Sequence, residues 1–242
     1  MAVLCYHSVC DAWKSPLAMH SATFSEQCTW LAQRTDTVDL ARAVALMDRR
    51  GRLPRGISTI TFDDGFADNF DIALPTLKRS GLTAAVFVVA ATLDRGQEVD
   101  WVDDPPDFTL ETLTRNQIQA LDAEGIDIGS HSLFHKNLTT LTYAACVDDL
   151  TTSRLILEEI VNKPVPYLAY PRGLWNETVA KAAQTAGYLG AFSLPVGPEP
   201  VGAFSMPRIG IWRDNGPREF WLKNTRTYQS VRTSRFYELV GG

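Results

Sequence analysis

The stretch Ile57-Ser58-Thr59-Ile60-Thr61-Phe62-Asp63-Asp64-Gly65 decides the fold. Its first six residues are mostly apolar or β-branched, which is typical of a short buried strand. Two carboxylates and a glycine follow without a gap, and these residue types favour a turn. The stretch therefore predicts a strand, Ile57–Phe62, that ends directly in a pair of acidic side chains.

Similar short apolar runs alternate with amphipathic stretches along the whole chain. Repeated strand-helix-strand units predict an α/β fold with a parallel sheet and external helices, and about eight strands favour closure into a distorted TIM-like (β/α) barrel. The predicted strands are Val3–His7, Thr37–Leu40, Ile57–Phe62, Ala84–Ala90, Ile126–Gly129, Tyr167–Tyr170, Gly190–Leu194 and Arg208–Ile211. The predicted helices are Phe24–Arg34, Arg42–Arg50, Ile72–Ser80, Arg115–Glu124, Tyr143–Asn162 and Glu177–Ala186.

Local signals mark several ends of these helices. A Thr followed three residues later by Glu or Gln predicts a capping box at a helix start, and a glycine suits the left-handed turn after a helix. The pairs are Thr23 with Glu26 and Thr114 with Gln117, and the glycines are Gly81, Gly125 and Gly187.

Length and composition limit the class of protein. The 242 residues, with 45% hydrophobic and 21% charged side chains, predict a single domain over residues 1–242. A net charge of -5 argues against a nucleic-acid partner. No apolar run reaches the roughly 20 residues needed to cross a bilayer, and no secretory signal precedes the first strand. We therefore expect no transmembrane segment, four reduced cysteines and a cytoplasmic location, or secretion if an export segment precedes this sequence.

Polar side chains follow four of the predicted strands at the points where the strands end. They are His7, the pair Asp63 and Asp64, His131, and the run Tyr170-Pro171-Arg172-Gly173. In a β/α barrel these strand ends converge on the face that carries catalytic groups. Two adjacent carboxylates and two histidines four residues apart, His131 and His135, can form a divalent-metal site with a spare carboxylate beside it.

These motifs, in this order, resemble the polysaccharide deacetylase family, the NodB-homology carbohydrate esterases of family 4. The resemblance extends from Leu4-Cys5-Tyr6-His7-Ser8 through the Thr61–Gly65, His131–His135 and Leu168–Gly173 motifs to Met206-Pro207-Arg208-Ile209. It implies a distorted barrel of seven to eight strands, the NodB-homology fold. It also implies a metal-dependent hydrolase that removes N-acetyl groups from a sugar, oligosaccharide or polysaccharide.

The resemblance assigns roles to individual residues. Asp64, His131 and His135 would bind one divalent metal ion, with zinc favoured and cobalt, nickel or iron as alternatives. Asp63 would be the general base. No histidine follows His135, where many members carry a catalytic acid, so the pattern is closest to poly-N-acetylglucosamine deacetylases that take this histidine from an early Tyr-His strand. His7 would then be the acid.

The third motif departs from the common family pattern. Many members have an Arg two residues before the motif's Pro, whereas Ala169 stands there and Arg172 follows Pro171 instead. Whether Arg172 orients Asp63 is left open. The run Tyr170–Gly173 is assigned to substrate binding, and a backbone N–H near Arg172 is expected to stabilise the oxyanion.

Aromatic residues outside the motifs suggest further contacts. Trp101, on a long acidic loop, is predicted to bind sugar by stacking, with an apolar lid as the alternative. Trp212 has the same two interpretations. The segment Glu219–Leu239 mixes aromatic and basic side chains, so it favours a closing helix, with weak membrane or partner contact as the alternative.

Two other functions are compatible with the sequence. The same metal site could hydrolyse another C–N bond, in a formamide or a cyclic ureide. Alternatively, the chain could be a carbohydrate-binding protein without activity, which would bind ligand but release no acetate. Because the base, three ligands and a candidate acid are all present, the N-deacetylase is the favoured function.

Overall fold

The computed structural model describes residues 2–50, 52–195, 197–225 and 227–228. The helices are α1 (Ser21–Arg34), α2 (Leu40–Arg50), α3 (Leu74–Ser80), α4 (Arg115–Ala123), α5 (Tyr143–Val161), α6 (Glu177–Thr185) and α7 (Pro217–Lys223). The strands are β1 (Val3–Tyr6), β2 (Ser8–Val9), β3 (Ala18–Met19), β4 (Asp36–Thr37), β5 (Ile57–Phe62), β6 (Ala85–Val88), β7 (Asp127–Ser130), β8 (Tyr167–Ala169), β9 (Gly190–Ser193), β10 (Met206–Pro207) and β11 (Ile209–Gly210). A π-helical turn, Asn69–Ala73, leads into α3, and 3₁₀ turns span Ala90–Arg95, Leu138–Thr140 and Pro171–Gly173.

The main sheet is an almost closed parallel barrel. Its strands follow the order β10-β9-β8-β7-β6-β5-β1-β11, and β4 pairs with β5 outside this path. The two ends of the path meet because only Arg208 separates β10, which pairs with β9, from β11, which pairs with β1. The distorted α/β barrel predicted from the sequence is confirmed.

The last strand differs from its prediction. The sequence predicts one strand over Arg208–Ile211, whereas the structure has two short strands that flank Arg208. The second predicted strand, Thr37–Leu40, is also shorter, because Leu40 already begins α2. The other six strands and all six predicted helices are present, with ends shifted by at most three residues.

Apolar residues on the strands of the main sheet belong to three clusters, two of which contain alternate residues of β1 and β6. Leu4 and Val86 face outward and pack with the helices, which gives the larger cluster. Val3 and Phe87 face the barrel interior, where Met47 of α2 joins them. The period of two residues in a strand explains why neighbours on one strand belong to different clusters.

Some of the predicted helix ends agree with the structure and one does not. Thr114 and Gln117 form a reciprocal capping box at the start of α4. Gly81, Gly125 and Gly187 all have left-handed φ angles, as their places after helices predict. The Thr23 prediction is wrong, because α1 already begins at Ser21 and its N-cap is His20.

The C-terminal prediction is tested only over its first residues. Pro217–Lys223 forms α7. The ring of Phe220 packs edge-on against that of Trp30, with the ring centroids 5.5 Å apart. Residues 226 and 229–239 of the predicted Glu219–Leu239 helix lie outside the described residues. Over the part of the chain that is described, no helix has both the length and the apolar character needed to cross a bilayer.

All four cysteines have free thiols, as the sequence predicts. Cys5, Cys28 and Cys146 are buried, and Cys10 is partly buried.

Candidate active site

The backbone turns sharply at the strand ends where the predicted site residues lie. Asp63 follows β5, and the next two residues, Asp64 and Gly65, have φ angles of 70° and 71°. His131 follows β7 and is followed by Ser132, with φ 68°, whose hydroxyl accepts the N–H of His135 at 2.9 Å. These left-handed turns direct consecutive side chains into the same opening of the barrel.

Strained backbone is concentrated at this face. Of the five non-glycine residues with positive φ in the described chain, only Asn162 lies elsewhere, after α5. The other four are Asp64, Ser132, His135 and Arg172. Such conformations cost on the order of 1–3 kcal/mol each and persist where the surrounding structure fixes them, so their clustering supports a functional role for this face.

Asp64, His131 and His135 come together as the sequence predicts. Asp64 Oδ1 lies 3.6 Å from His131 Nε2 and 3.3 Å from His135 Nε2, and all three residues are buried. One ligand atom from each lies within 4.8 Å of the other two. An oxygen and two imidazole nitrogens around one point are a donor set that suits a divalent transition metal.

The protonation states of these residues also suit a cation. His131 Nδ1 must donate to the Ala169 carbonyl, 2.8 Å away, because a carbonyl only accepts, so Nε2 keeps a lone pair. Burial lowers the pKa of His131, and lowers that of His135 to about 2, so both rings are neutral near pH 7. Burial and the charge of Asp63 raise the pKa of Asp64 to about 8. The negative charge of Asp64 is therefore disfavoured without a counter-charge, and a bound cation would supply one, so these residues fit a metal ion.

Asp63 is paired with an arginine that the sequence analysis did not single out. Arg208 Nη1 and Nη2 donate to Asp63 Oδ1 and Oδ2 at 2.6 and 2.7 Å, and both residues are buried. The thiol of Cys5 also donates to Oδ2, at 3.4 Å. Burial alone would raise the pKa of Asp63, but the charge and hydrogen bonds of Arg208, together with the neighbouring histidines, outweigh burial and keep the pKa below its ordinary value. Asp63 is therefore ionised and held in one orientation.

The open question about Arg172 is answered by these contacts. Its Nη2 donates to the Trp101 carbonyl at 2.9 Å, whereas both carboxylate oxygens of Asp63 accept from Arg208. The sequence contained one signal that Arg208 pairs with a buried carboxylate. Arg208 is a single charged residue inside an apolar run, and a buried charge requires a partner.

His7 lies close to Asp63 and lines the same cavity as the candidate metal ligands. A ring nitrogen of His7, the Cys5 sulfur and an Asp63 oxygen all lie within 4.8 Å of one another. The imidazole stacks on Trp212 with the ring centroids 5.5 Å apart, and its Nδ1 has no hydrogen-bond partner among the described residues. Burial lowers the pKa of His7 to about 4, so the ring is neutral near pH 7.

Trp101 contacts two of the three candidate metal ligands. Its indole N–H donates to Asp64 Oδ1 at 3.2 Å, and its ring stacks on that of His135 with centroids 4.5 Å apart. One face of the indole is therefore occupied by a protein side chain. Stacking of Trp101 on a sugar stays a prediction for the other face only.

An open cavity of about 600 Å³ connects these residues to solvent. Arg172 and Gly173 line it as predicted for substrate-binding residues, together with Leu17, Leu194 and both tryptophans. Tyr170 and Pro171 do not line it. The Tyr170 side chain is fully buried, and its hydroxyl donates to the Phe204 carbonyl at 2.9 Å, so it supports the wall from behind.

The sequence profile of the polysaccharide deacetylase family matches residues 50–191. The chain belongs to the polysaccharide deacetylase family. The matched segment contains Asp63, Asp64, His131 and His135, but neither His7 nor Arg208. In this chain His7 and Arg208 are brought to the site by β1 and by the bend between β10 and β11.

Individual relatives agree with this assignment. YxkH of Bacillus subtilis is 26% identical over 78% of this chain and 62% of its own length. The poly-beta-1,6-N-acetyl-D-glucosamine N-deacetylase of Staphylococcus aureus is 23% identical over 73% of this chain and 61% of its own length. The chain thus spans about three fifths of the length of these relatives. The deacetylase PplD of Streptococcus pyogenes has the same fold, with a TM-score of 0.79 at 19% identity over 93% of this chain and 98% of PplD.

Proposed function

We propose that this polysaccharide deacetylase is a metal-dependent hydrolase that removes acetyl groups from N-acetylated sugars. The observation that carries the proposal is the buried group of Asp64, His131 and His135 beside an ionised Asp63. These three residues would hold the metal, with zinc favoured. When bound, such an ion acidifies water and polarises a carbonyl, which is the activation that a stable amide requires.

Asp63 would act as the base that removes a proton from the attacking water. An ionised carboxylate has about four acceptor positions, of which Arg208 takes one on each oxygen and the Cys5 thiol a second on Oδ2, so about one position, on Oδ1, is left for the water. Asp63 Oδ2 lies 3.8 Å from His131 Nε2, so it reaches the edge of the metal cluster. The low pKa of Asp63 makes it a modest base and, once protonated, a strong acid that readily passes the proton on.

His7 would deliver a proton to the departing amine. Its neutral ring can accept a proton, and the negative charge of Asp63 favours that protonated form. Trp212 holds the ring plane by stacking. The backbone N–H groups of Gly173 and Leu174 already donate to carbonyls, so the N–H of Arg172 would be the donor to the oxyanion.

An N-acetylated glucosamine oligomer or polymer is the substrate that we favour. The cavity is open to solvent and has room for a sugar residue, and its walls include two tryptophans with polar residues beside them. A relative named for the deacetylation of poly-β-1,6-N-acetylglucosamine supports this class of substrate.

Metal content and acetate release together test the proposal. We expect about one transition-metal ion per chain in the wild-type protein and almost none in Asp64→Ala, measured by elemental analysis. Asp103→Ala is the matched control, because Asp103 lines the same cavity outside the cluster. Acetate release from β-1,6- and β-1,4-linked N-acetylglucosamine oligomers should follow the metal content.

Each alternative function predicts a different result in the same assays. A metal-loaded protein that hydrolyses formamides or cyclic ureides but not acetylated sugars would have the second C–N bond activity. Oligosaccharide binding without acetate release, unaffected by Asp63→Asn, would indicate a binding protein. Absence of metal from the wild-type chain after incubation with zinc and cobalt would refute the proposal.

A further inference from the structure

The two histidines of the candidate metal cluster are supported in different ways. His131 is oriented by a hydrogen bond from its Nδ1 to the Ala169 carbonyl. His135 Nδ1 is buried and has no partner among the described residues. The His135 ring lies parallel to the indole of Trp101, with centroids 4.5 Å apart and an interplanar angle of 25°, and meets the His131 ring only at a tilt of 58°.

The same tryptophan contacts the carboxylate ligand. Its indole N–H donates to Asp64 Oδ1, which is the oxygen that faces both histidine nitrogens. An indole nitrogen is only a donor, so this contact always presents a hydrogen to the carboxylate and leaves the other acceptor positions of Oδ1 for an ion. Trp101 therefore restrains one ligand by a hydrogen bond and a second by stacking.

The loop that carries Trp101 is held in place at the same residue. Arg172, in a left-handed conformation after β8, donates from Nη2 to the Trp101 carbonyl at 2.9 Å. This contact connects the loop between Ala90–Arg95 and α4 to the opposite wall of the cavity. It keeps the indole over the cluster although the loop itself has little regular structure.

We infer that Trp101 is a positioning residue of the metal site, which holds Asp64 and His135 in the geometry that binds the ion. This inference rests on the metal site of the proposed function and adds a determinant of its affinity. Residues behind metal ligands fix ligand orientation, and their substitution typically weakens metal binding by about 10–100-fold. A tryptophan that only contacted the sugar would alter substrate binding and leave metal affinity unchanged.

The test is the zinc dissociation constant, measured by competition between the metal-free protein and a chromophoric chelator. Trp101→Phe keeps an aromatic ring over His135 but removes the N–H, and we expect about tenfold weaker binding. Trp101→Ala removes both contacts, and we expect a loss that approaches about 100-fold. Circular dichroism of each metal-free variant checks that the fold is retained.

Trp175→Phe is the matched control. Trp175 also donates its indole N–H to a carboxylate, Glu199, at 2.9 Å and stacks on a ring, that of Tyr170, but it is outside the metal cluster. Its substitution should leave the zinc dissociation constant within about twofold of the wild-type value.

The outcomes separate this inference from the proposed function. Wild-type zinc affinity in a folded Trp101→Ala, with a raised KM for acetylated sugar, would overturn the positioning role while the metal site stands. Equal losses in Trp101→Ala and Trp175→Phe would overturn it as well, because the effect would then be general. If the wild-type chain binds no zinc, the metal site fails, and the inference fails with it.

Discussion

Replacement of Arg208 by methionine should destabilise the fold and alter the pH dependence of activity together. Arg208 is fully buried, its guanidinium forms two hydrogen bonds with buried Asp63, and it lies over the Phe87 ring at 5.4 Å. Methionine has a similar length and no charge, so Asp63 would remain in the barrel without a counter-charge. Removal of one member of a buried ion pair costs about 3–5 kcal/mol.

The sign of the pH effect follows from the pKa of Asp63. In the wild-type protein this pKa is lowered, so the pair contributes stability above about pH 4 and loses it as the pH falls through the folded-state value. Without Arg208, burial raises the pKa of Asp63 above that of the unfolded chain. The difference in unfolding free energy between the two proteins should therefore be large at pH 7 and shrink toward about pH 4.

Two assays measure the consequences. Urea unfolding at pH 7 and near pH 4 gives the stability difference, and the pH profile of kcat/KM for acetate release gives the state of the base. We expect the acidic limb of Arg208→Met to lie at least about 1–3 pH units above that of the wild type. Combining Arg208→Met with Asp63→Asn should restore much of the stability, since no buried charge remains.

Arg154→Met is the control for the loss of an ion pair as such. Arg154 also pairs closely with a carboxylate, Glu158, but on the partly exposed face of α5, where such pairs contribute about 0–1 kcal/mol. If Arg208→Met lost no more stability than Arg154→Met and its acidic limb did not move, Arg208 would not control the base.

Two further substitutions test other parts of the site. His7→Ala should abolish hydrolysis of N-acetyl sugars yet spare an activated acetyl ester, because only an amine leaving group requires a proton; equal loss on both substrates would contradict the acid role. Gly173→Ala should cost more than about 2 kcal/mol in urea unfolding, since φ is +71° and a Cβ would lie 2.5 Å from the backbone N of Leu194. Gly81→Ala, with φ +64° and open space around the position, should cost only about 1–2 kcal/mol, so an equal cost at both sites would exclude a steric effect.

The features that the sequence predicted correctly depend on short stretches of chain. The Thr114 capping box and the glycines after helices are set by neighbours within a few residues, and so is the turn at Asp63 and Asp64. The approach of His131 to Asp64 was also predictable, although the two residues are 67 positions apart in the sequence. Parallel strands place all their carboxyl ends on one face, so topology alone brings these residues together.

The tertiary structure decided which residues touch within that face. Arg208 and Asp63 pair across 145 residues of sequence, through a bend that no local pattern marks. Trp101 contacts Asp64 and His135, and Tyr170 points into the core rather than the cavity. The physical reason is the range of the interactions. Hydrogen bonding and steric limits along the chain fix turns and strand ends, whereas the partner of a buried charge or an aromatic ring depends on how distant strands and loops pack together.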